Sequence, residues 1–279
     1  MSQAAKAQQL LSLHNNGKLL ILPNVWNPVG ARMLQAKGYS AIATASAAIA
    51  ESLGYSDGEQ LKLDTMLDMV TRIVRSVDVP VTVDFEAGYS NVIEGLQENI
   101  TRLLETGAVG LNFEDSWGDS KYLRPIPEQV ERIRAVREIA ERRGIHLVIN
   151  ARADSFFADG FSSDEERIED VITRLNAYIE AGADCVYPVG RGNKETLAIL
   201  RKRISAPINV LATAKTTSLK ELQEMGINRV SFGPYIFRSL LAKMSAMQDE
   251  ILNMGEYGIV MDGIWTGGEV KKYLIEGKE

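Results

Sequence analysis

The chain has 279 residues, of which 45% are hydrophobic, so it can bury a core of the size found in a single α/β barrel domain. Its formal net charge of −6 argues against a general affinity for nucleic acid or anionic membranes. The one cysteine, Cys185, excludes an intramolecular disulfide framework and a cysteine-rich metal site. Because the sequence also lacks an apolar run long enough for a membrane span or a signal peptide, we expect a soluble cytoplasmic protein with a small-molecule partner.

The predicted elements repeat along the chain: a helical stretch closes on a glycine, and a short apolar strand follows. The glycines at predicted helix C-termini are Gly38, Gly107, Gly144, Gly182 and Gly226. The eight predicted strands end near Asn24, Thr44, Asp84, Glu114, Arg152, Pro188, Leu211 and Gly233. Apolar parallel strands alternating with helices form a sheet covered by helices, and eight of them favour a (β/α)8 TIM barrel over an open doubly wound sheet.

The sequence continues well past the eighth predicted strand. Residues 1–240 are predicted to form the barrel domain. Residues 241–279 are long enough for a C-terminal helical arm that packs on the barrel or on a neighbouring subunit. We therefore expect one barrel domain with one added arm.

Carboxylates gather at the ends of two neighbouring predicted strands. The stretch VTVDFEAGYSN carries Asp84 and Glu86 two positions apart, which in a strand places both side chains on one side. Glu114 and Asp115 end the next strand, and a barrel carries its chemistry at these strand ends. Close like charges need a compensating cation, and oxygen ligands suit Mg²⁺ or Mn²⁺. The alternative is that each acid caps a helix or pairs with a basic residue.

Other polar strand ends suggest contacts to substrate. Arg152 ends a buried strand, where a guanidinium suits a substrate carboxylate or phosphonate, although carboxylates could also pair with it structurally. Ser46, Ala47 and Ala48 follow the second strand, where small residues let backbone N–H groups approach an anion, or simply pack closely. The remaining polar candidates at strand ends are Asn24, Asp57, Asn150 and Asn209.

Several reactive residue types are assigned structural or solvated roles. Lys215 follows the seventh strand, but a loop lysine is usually solvated and not a Schiff-base nucleophile. His14 and His146 lie in the N-terminal helix and at the start of the fifth strand, away from the chemical end of a barrel. Cys185 lies inside the sixth strand as a core side chain.

The motifs together resemble the isocitrate lyase and phosphoenolpyruvate mutase superfamily. The similarity runs from LLILPNVWNPVGARMLQAKGYSAIATAS through DFEAGYSN, GLNFED and INARAD to RVSFGP, along nearly the whole chain. It implies a (β/α)8 barrel, a Mg²⁺ site and chemistry on 2-oxo carboxylates through a metal-stabilised enolate. It also implies a homotetramer, built as a dimer of dimers that exchange their eighth helices.

The resemblance also implies roles for individual residues. Asp84 matches the direct metal ligand, and Glu86 and Glu114 match secondary or water-bridged ligands. Asp57 matches an acidic residue near the metal. The substrate contacts carried over by position are Ser46, Ala47, Ala48 and Arg152, to which Asn209 is added as a strand-end candidate; Asp57, Glu114, Arg152 and Lys121 are the catalytic candidates.

Departures from the family pattern bear on the reaction. Isocitrate and methylisocitrate lyases carry a cysteine motif, KKCGH, where this chain reads EDSWGDSKYLRP, so a methylisocitrate lyase is disfavoured. The mutases and phosphonopyruvate hydrolases carry EDKxxxKxNS, of which this chain keeps Lys121 but lacks the first lysine and the asparagine. Glu86 stands where an aspartate is usual.

The favoured function is a Mg²⁺-dependent lyase that decarboxylates or cleaves a C–C bond in a small 2-oxo carboxylate such as oxaloacetate. The alternative is P–C bond chemistry, as phosphoenolpyruvate mutase or phosphonopyruvate hydrolase. A non-catalytic binding barrel is disfavoured because Asp84, Glu86, Glu114 and Arg152 are all present, and such charges are costly to keep together without a use.

Overall fold

The computed structural model describes residues 1–117 and 121–275. The strands are β1 (Leu20–Leu22), β2 (Asn24–Val25), β3 (Ile42–Thr44), β4 (Val81–Asp84), β5 (Gly110–Glu114), β6 (Val148–Ala153), β7 (Cys185–Pro188), β8 (Asn209–Leu211) and β9 (Arg229–Ser231). The helices are α1 (Gln3–Asn15), α2 (Pro28–Ala36), α3 (Ser46–Ser52), α4 (Leu63–Arg75), α5 (Ile93–Glu105), α6 (Ile126–Arg142), α7 (Asp164–Glu180), α8 (Lys194–Arg203), α9 (Leu219–Glu224), α10 (Tyr235–Leu252), α11 (Gly258–Met261) and α12 (Gly267–Lys271).

All strand pairs are parallel, and the strands close into a barrel. β2 to β7 form a six-stranded sheet in chain order, and β9 pairs with both β8 and β1 to form a three-stranded sheet. One bridge between Val186 and Ile208 joins β7 to β8. β1 and β2 are one strand interrupted at Pro23, a residue that cannot donate to a ladder. Counted so, the barrel has the eight predicted strands, and the predicted fold class is confirmed.

The side chain of Asn24 joins the strands beside this interruption. Its Oδ1 accepts hydrogen bonds from the backbone N–H groups of Phe232 and Gly233, at 2.7 and 2.9 Å. Its Nδ2 donates to the backbone carbonyl of Thr44 at 2.7 Å. Asn24 thereby links the chain that follows β9 to the end of β3.

The predicted glycine punctuation is also found. Each of the five predicted glycines follows a helix and has a left-handed φ, between 69° and 109°. At Gly107 the requirement is twofold: φ is 91°, and a Cβ would lie 2.9 Å from Cγ1 of Val74. These turns bring each helix back onto the sheet within a few residues, which sets the β/α repeat.

The layer between the strands and the surrounding helices is apolar, whereas the space enclosed by the strands contains polar side chains. The main core is built from residues such as Val83, Leu111, Ile149 and Val186, all buried. The buried polar side chains that face inward from the strands include Asn112, Asn150, Asn209, Arg229 and Ser231. This polar layer lies beneath the carboxyl ends of the strands, where the candidate site forms.

The C-terminal part continues as a long helix that crosses residue 240. α10 runs from Tyr235 to Leu252 without a break, and most of its side chains are exposed. Its apolar exposed residues include Leu240, Met244 and Leu252. The division into residues 1–240 and an arm of 241–279 stays a prediction, as does the exchange of helices between subunits. Across the described ranges, no helix is both long and apolar enough to span a membrane.

Candidate active site

The carboxyl ends of the strands surround a small cavity of about 200 Å³. Six predicted residues line it: Asn24, Ser46, Ala47, Asp57, Asp84 and Arg152. They come from β2, α3, the loop after α3, β4 and β6, so the barrel closure brings together side chains from positions 24 to 152 of the sequence. The prediction that these strand-end residues share one site agrees with the fold.

Asp84 lies at the end of β4 and is held by its neighbours. Its Oδ2 accepts hydrogen bonds from the backbone N–H and the hydroxyl of Ser46, at 3.1 and 2.8 Å. Its Oδ1 accepts a longer bond, 3.4 Å, from Nδ2 of Asn112 on β5. The carboxylate is therefore oriented from two sides while it lines the cavity.

Asp57 is a second carboxylate on the same wall. Its Oδ1 accepts a hydrogen bond from the Ser46 hydroxyl at 3.3 Å, so Ser46 contacts both aspartates. Burial and the negative charge of Asp84 together raise the pKa of Asp57. Among the residues that the structure describes, neither aspartate forms an ion pair with a basic side chain. A pair of adjacent carboxylates without a paired cation thus faces the cavity.

Arg152 lies on β6, two strands along the sheet from Asp84, and is held by two carboxylates. Its Nη1 forms an ion pair with Oε2 of Glu114 at 2.7 Å, and its Nε donates to Oδ1 of Asp154 at 2.8 Å. Both negative charges raise the pKa of Arg152 despite its burial, so the guanidinium stays positive. Arg152 therefore presents a fixed positive charge to the cavity.

Glu114 is the last residue of β5, and its carboxylate contacts neighbouring side chains and does not line the cavity. Besides Arg152, its Oε1 accepts a 2.6 Å hydrogen bond from the hydroxyl of Ser116. Burial raises the pKa of Glu114 to about 7, although the positive charge of Arg152 opposes that shift. In this arrangement Glu114 holds the Arg152 guanidinium, and its role as a metal ligand stays a prediction.

The prediction that Glu86 shares a strand face with Asp84 is wrong. β4 ends at Asp84, and Glu86 lies in a turn with a left-handed φ of 48°, so the two-residue periodicity of a strand does not apply. The Glu86 carboxylate accepts from the backbone N–H of Glu59 at 2.5 Å and from the hydroxyl of Tyr89 at 2.8 Å. Burial, followed by the charges of nearby acids, raises the pKa of Glu86 to about 8.

Three other predicted residues lie outside the cavity lining. Ala48 is buried beside Ala45 and Phe237. Asn209 is fully buried and donates through Nδ2 to the hydroxyl of Ser231, at 3.2 Å. Lys121 is exposed, and its backbone carbonyl accepts a hydrogen bond from the N–H of Asp159. Residues 118–120 of the same EDSWGDSKYLRP segment lie outside the described residues. Their functional roles stay predictions.

Sequence reasoning missed several residues that line the cavity. The polar and aromatic ones include Asn112, Tyr187, Ser231, Tyr235 and Arg238. The first three point inward from β5, β7 and β9, and the alternation of side chains along those strands could have indicated them. Tyr235 and Arg238 begin α10 and reach the cavity only because the chain turns back after β9, which no local pattern predicts.

The donor set fits one kind of magnesium site. Within residues 1–117 and 121–275, no three His, Cys, Asp or Glu side chains lie close enough together to enclose one metal ion. Mg²⁺ commonly keeps several waters and takes only one or two carboxylates from the protein, with the rest from substrate oxygens. Asp84 and Asp57 fit such a water-rich site, whereas a cage made wholly of protein ligands does not fit.

Comparisons with known proteins agree with this barrel and its motifs. A family model described as phosphoenolpyruvate phosphomutase matches residues 10–252. A 2-methylisocitrate lyase from Aeropyrum pernix is 27% identical over 262 residues, covering 90% of this chain and 81% of the relative. A structure from Burkholderia cenocepacia, provisionally described as a phosphonomutase, is 35% identical with a TM-score of 0.83, covering 89% of this chain and 99% of that one.

Two more distant structures share the fold. Oxaloacetate acetylhydrolase in complex with oxalate is 22% identical with a TM-score of 0.85, covering 98% of this chain and 94% of that one. Phosphonopyruvate hydrolase in complex with oxalate and Mg²⁺ is 20% identical with a TM-score of 0.84, covering 98% and 95%. The predicted superfamily is confirmed, and with it the prediction of a lyase-type enzyme. The chain belongs to the phosphoenolpyruvate phosphomutase family of the isocitrate lyase and phosphoenolpyruvate mutase superfamily.

Proposed function

We propose that the protein is a Mg²⁺-dependent lyase that breaks a C–C bond in a small 2-oxo carboxylate such as oxaloacetate. The observation that carries this proposal is the arrangement of charges: Asp84 and Asp57 face the cavity without a paired cation, and Arg152 faces it as a fixed cation. A bound divalent ion would compensate the negative charges of Asp84 and Asp57, and a substrate carboxylate would form an ion pair with Arg152. Mn²⁺ has the same ligand preference and is the alternative ion.

The size of the cavity supports a small substrate. Pockets for drug-sized ligands usually measure about 300–1,000 Å³, and this cavity measures about 200 Å³. A four-carbon or five-carbon oxo acid is of the right size class. The aromatic and apolar lining from Phe157, Tyr187 and Val189 would exclude water from the reacting atoms.

Each residue of the site has a role in this proposal. Asp84 would hold the ion directly, with Ser46 fixing the carboxylate through two hydrogen bonds. Arg152 would bind and orient the substrate carboxylate, since Glu114 and Asp154 hold its guanidinium in place. Asp57 would transfer the proton that bond cleavage requires, as a general acid or base, because it faces the cavity beside Ser46. When bound, Mg²⁺ supplies positive charge that stabilises negative charge developing on substrate oxygens.

The substitution Asp84→Asn tests the metal assignment, because it removes the negative charge and keeps the shape of the side chain. We expect Asp84→Asn to abolish measurable Mg²⁺ binding by calorimetry and to lower kcat/KM by about 1,000-fold, because several kcal/mol of charge stabilisation are lost. The far-UV spectrum and thermal midpoint serve as folding controls. Mg²⁺ affinity unchanged in Asp84→Asn would refute the metal site.

The second candidate is P–C bond chemistry, as a phosphoenolpyruvate mutase or a phosphonopyruvate hydrolase. The description of the matching family and the name of the related Burkholderia structure favour it. Parallel assays with oxaloacetate and phosphonopyruvate, each with and without Mg²⁺, separate the two. Turnover of oxaloacetate alone supports the C–C lyase, turnover of phosphonopyruvate alone supports the alternative, and turnover of neither contradicts both. 2-Methylisocitrate belongs in the same panel because of the relative that cleaves it.

We also propose that the subunits associate through their C-terminal arms into dimers and then tetramers. The exposed apolar side chains of α10 and beyond support this proposal, among them Leu240, Leu241, Met244, Leu252 and Trp265. Isolated apolar residues are common on surfaces, but a helix carrying this many usually packs against another chain. Light scattering on the eluting protein measures the mass, and a monomer at micromolar concentration would contradict the proposal. A cytoplasmic location is likewise proposed on the grounds of its composition.

A further inference from the structure

Arg229 is a buried arginine inside the barrel. It begins β9, where its Cα pairs in register with Leu20 and Asn209, and its side chain is fully buried. Among the described residues, no carboxylate lies within ion-pair distance of its guanidinium, and its Nε and Nη1 have no hydrogen-bond partner. Lys and Arg are almost never fully buried unless they are paired. Arg229 therefore contributes little that would stabilise the fold.

The burial of Arg229 is itself unfavourable. Removal from water lowers the pKa of the guanidinium, because the charged form loses its hydration. A methionine of similar length would fill the same space without that cost. A residue that is costly for stability at a site floor is a candidate for a functional role.

A chain of hydrogen bonds connects Arg229 to the site. Its Nη2 donates to Oδ1 of Asn112 at 3.0 Å, and Nδ2 of Asn150 donates to the same oxygen at 2.8 Å. Because a guanidinium can only donate, the Asn112 atom that faces it must be the oxygen. The amide nitrogen of Asn112 is then directed toward Oδ1 of Asp84, at 3.4 Å.

We propose that Arg229 is a positioning residue, which acts through Asn112 to orient the Asp84 carboxylate toward the cavity. This inference rests on the proposed function of Asp84 as the group that holds the divalent ion. Two hydrogen bonds into Oδ1 of Asn112 leave its amide a single orientation, and that amide contacts the side of Asp84 that Ser46 does not. Arg229 does not line the cavity, so its hydrogen-bonded connection to the site runs through Asn112.

The sign of the effect on Mg²⁺ binding separates positioning from simple electrostatics. By charge alone, Arg229 repels a cation, and its removal would tighten Mg²⁺ binding. By positioning, its removal leaves the Asn112 oxygen with the Asn150 bond alone, so the amide is held less firmly and Mg²⁺ binding weakens. A purely structural role would instead lower the thermal midpoint without a specific change in Mg²⁺ affinity.

The test compares Arg229→Met and Arg229→Lys by calorimetric titration with Mg²⁺ alone, without substrate. We expect Arg229→Met to weaken Mg²⁺ binding about five-fold, the size of one hydrogen bond, and to leave the thermal midpoint unchanged or raised. Arg229→Lys keeps a donor and should bind Mg²⁺ within about two-fold of the unmodified protein. Equal or tighter Mg²⁺ binding in Arg229→Met, or a lowered thermal midpoint, would overturn the proposal.

A second variant tests the intermediate step. Asn112→Leu removes the amide and should weaken Mg²⁺ binding to the same extent as Arg229→Met. The double variant should be no weaker than either single variant, since both remove the same contact; additive losses would overturn the relay. If Asp84→Asn leaves Mg²⁺ binding intact, the proposed function fails; if Asp84→Asn abolishes binding but Arg229→Met does not weaken it, only the positioning role fails.

Discussion

Arg152 and Arg229 are two arginines on strands of one barrel, the first partly exposed and the second fully buried, and their surroundings differ. Arg152 is held by Glu114 and Asp154, each within 2.8 Å of a guanidinium nitrogen. Arg229 contacts only the amide of Asn112 and, in the described part of the chain, no carboxylate. Burial alone therefore does not show whether a charged side chain stabilises the fold, because its effect depends on the opposite charges that surround it.

The strongest test of this difference is the same substitution at both positions. Arg152→Met leaves the carboxylates of Glu114 and Asp154 buried without their cation, so we expect a loss of about 3–5 kcal/mol in the free energy of unfolding. Arg229→Met removes an uncompensated charge, so we expect no loss. Urea denaturation of the two variants side by side measures both values. Similar destabilisation by both substitutions would contradict the comparison.

Arg152→Met should also remove substrate binding, which gives a second measurement. Its loss of affinity for oxalate, used as a probe of the carboxylate site, should exceed any loss in Arg229→Met. Experiments at low temperature keep Arg152→Met folded while binding is measured. Unchanged oxalate affinity in folded Arg152→Met would exclude Arg152 as the group that binds the carboxylate.

A smaller effect on stability concerns His14, which is fully buried on α1 near Arg229. Burial, and then the positive charge of Arg229, lower the pKa of His14 to about 4, against the raising effects of its hydrogen bond to Leu10 and of Asp184. A folded-state pKa below the unfolded value of 6.5 means that stability is complete above pH 6.5 and is lost as the pH falls toward 4. The expected loss is about 3 kcal/mol.

His14→Leu should remove most of that acid-side loss, measured as the free energy of unfolding at pH 7 and pH 4.5. His146→Gln is the matched control, because it removes the other histidine, which lies near the surface beside Asp184. A loss of stability between these pH values that is the same in His14→Leu as in the unmodified protein would refute the assignment to His14.

The smallest expected effect is at a surface ion pair, in which the arginine is far more exposed than Arg152 or Arg229. Arg203 contacts both carboxylate oxygens of Glu169 between α8 and α7, and both side chains are largely in solvent. Solvent screening makes such pairs weak. We expect Glu169→Gln to produce no measurable change in urea stability; a clear destabilisation would show that this pair is more than a solvated contact.

The sequence predicted the repeating strands and helices, but it did not predict the contacts that form only when the barrel closes. Alternating apolar strands and helices, with a glycine such as Gly107 after each helix, are local patterns, and these patterns specified the barrel. Strand-end position alone was enough to place Asp84 and Arg152 in one site. The error at Glu86 arose because a left-handed turn follows Asp84, which the apolar run before it does not signal.

Side chains that face inward were harder to predict. Arg229 lies next to Asn112 although 117 positions separate them in the sequence, and only the register of the closed barrel brings them together. Arg238 reaches the cavity from the helix after the last strand. Such contacts are set by tertiary geometry, so a reading of local periodicity cannot supply them.

The two places where the barrel's ladders are interrupted have a consequence for how it opens. A single bridge between Val186 and Ile208 joins one side of the three-stranded sheet to its neighbour, and on the other side Pro23 breaks the strand and the Asn24 side chain spans the gap. The junction of β7 with β8 has one bridge, whereas each ladder of the six-stranded sheet has at least two registered pairs. We therefore expect local opening to begin at this junction, which frees the edge of the three-stranded sheet that carries Arg229.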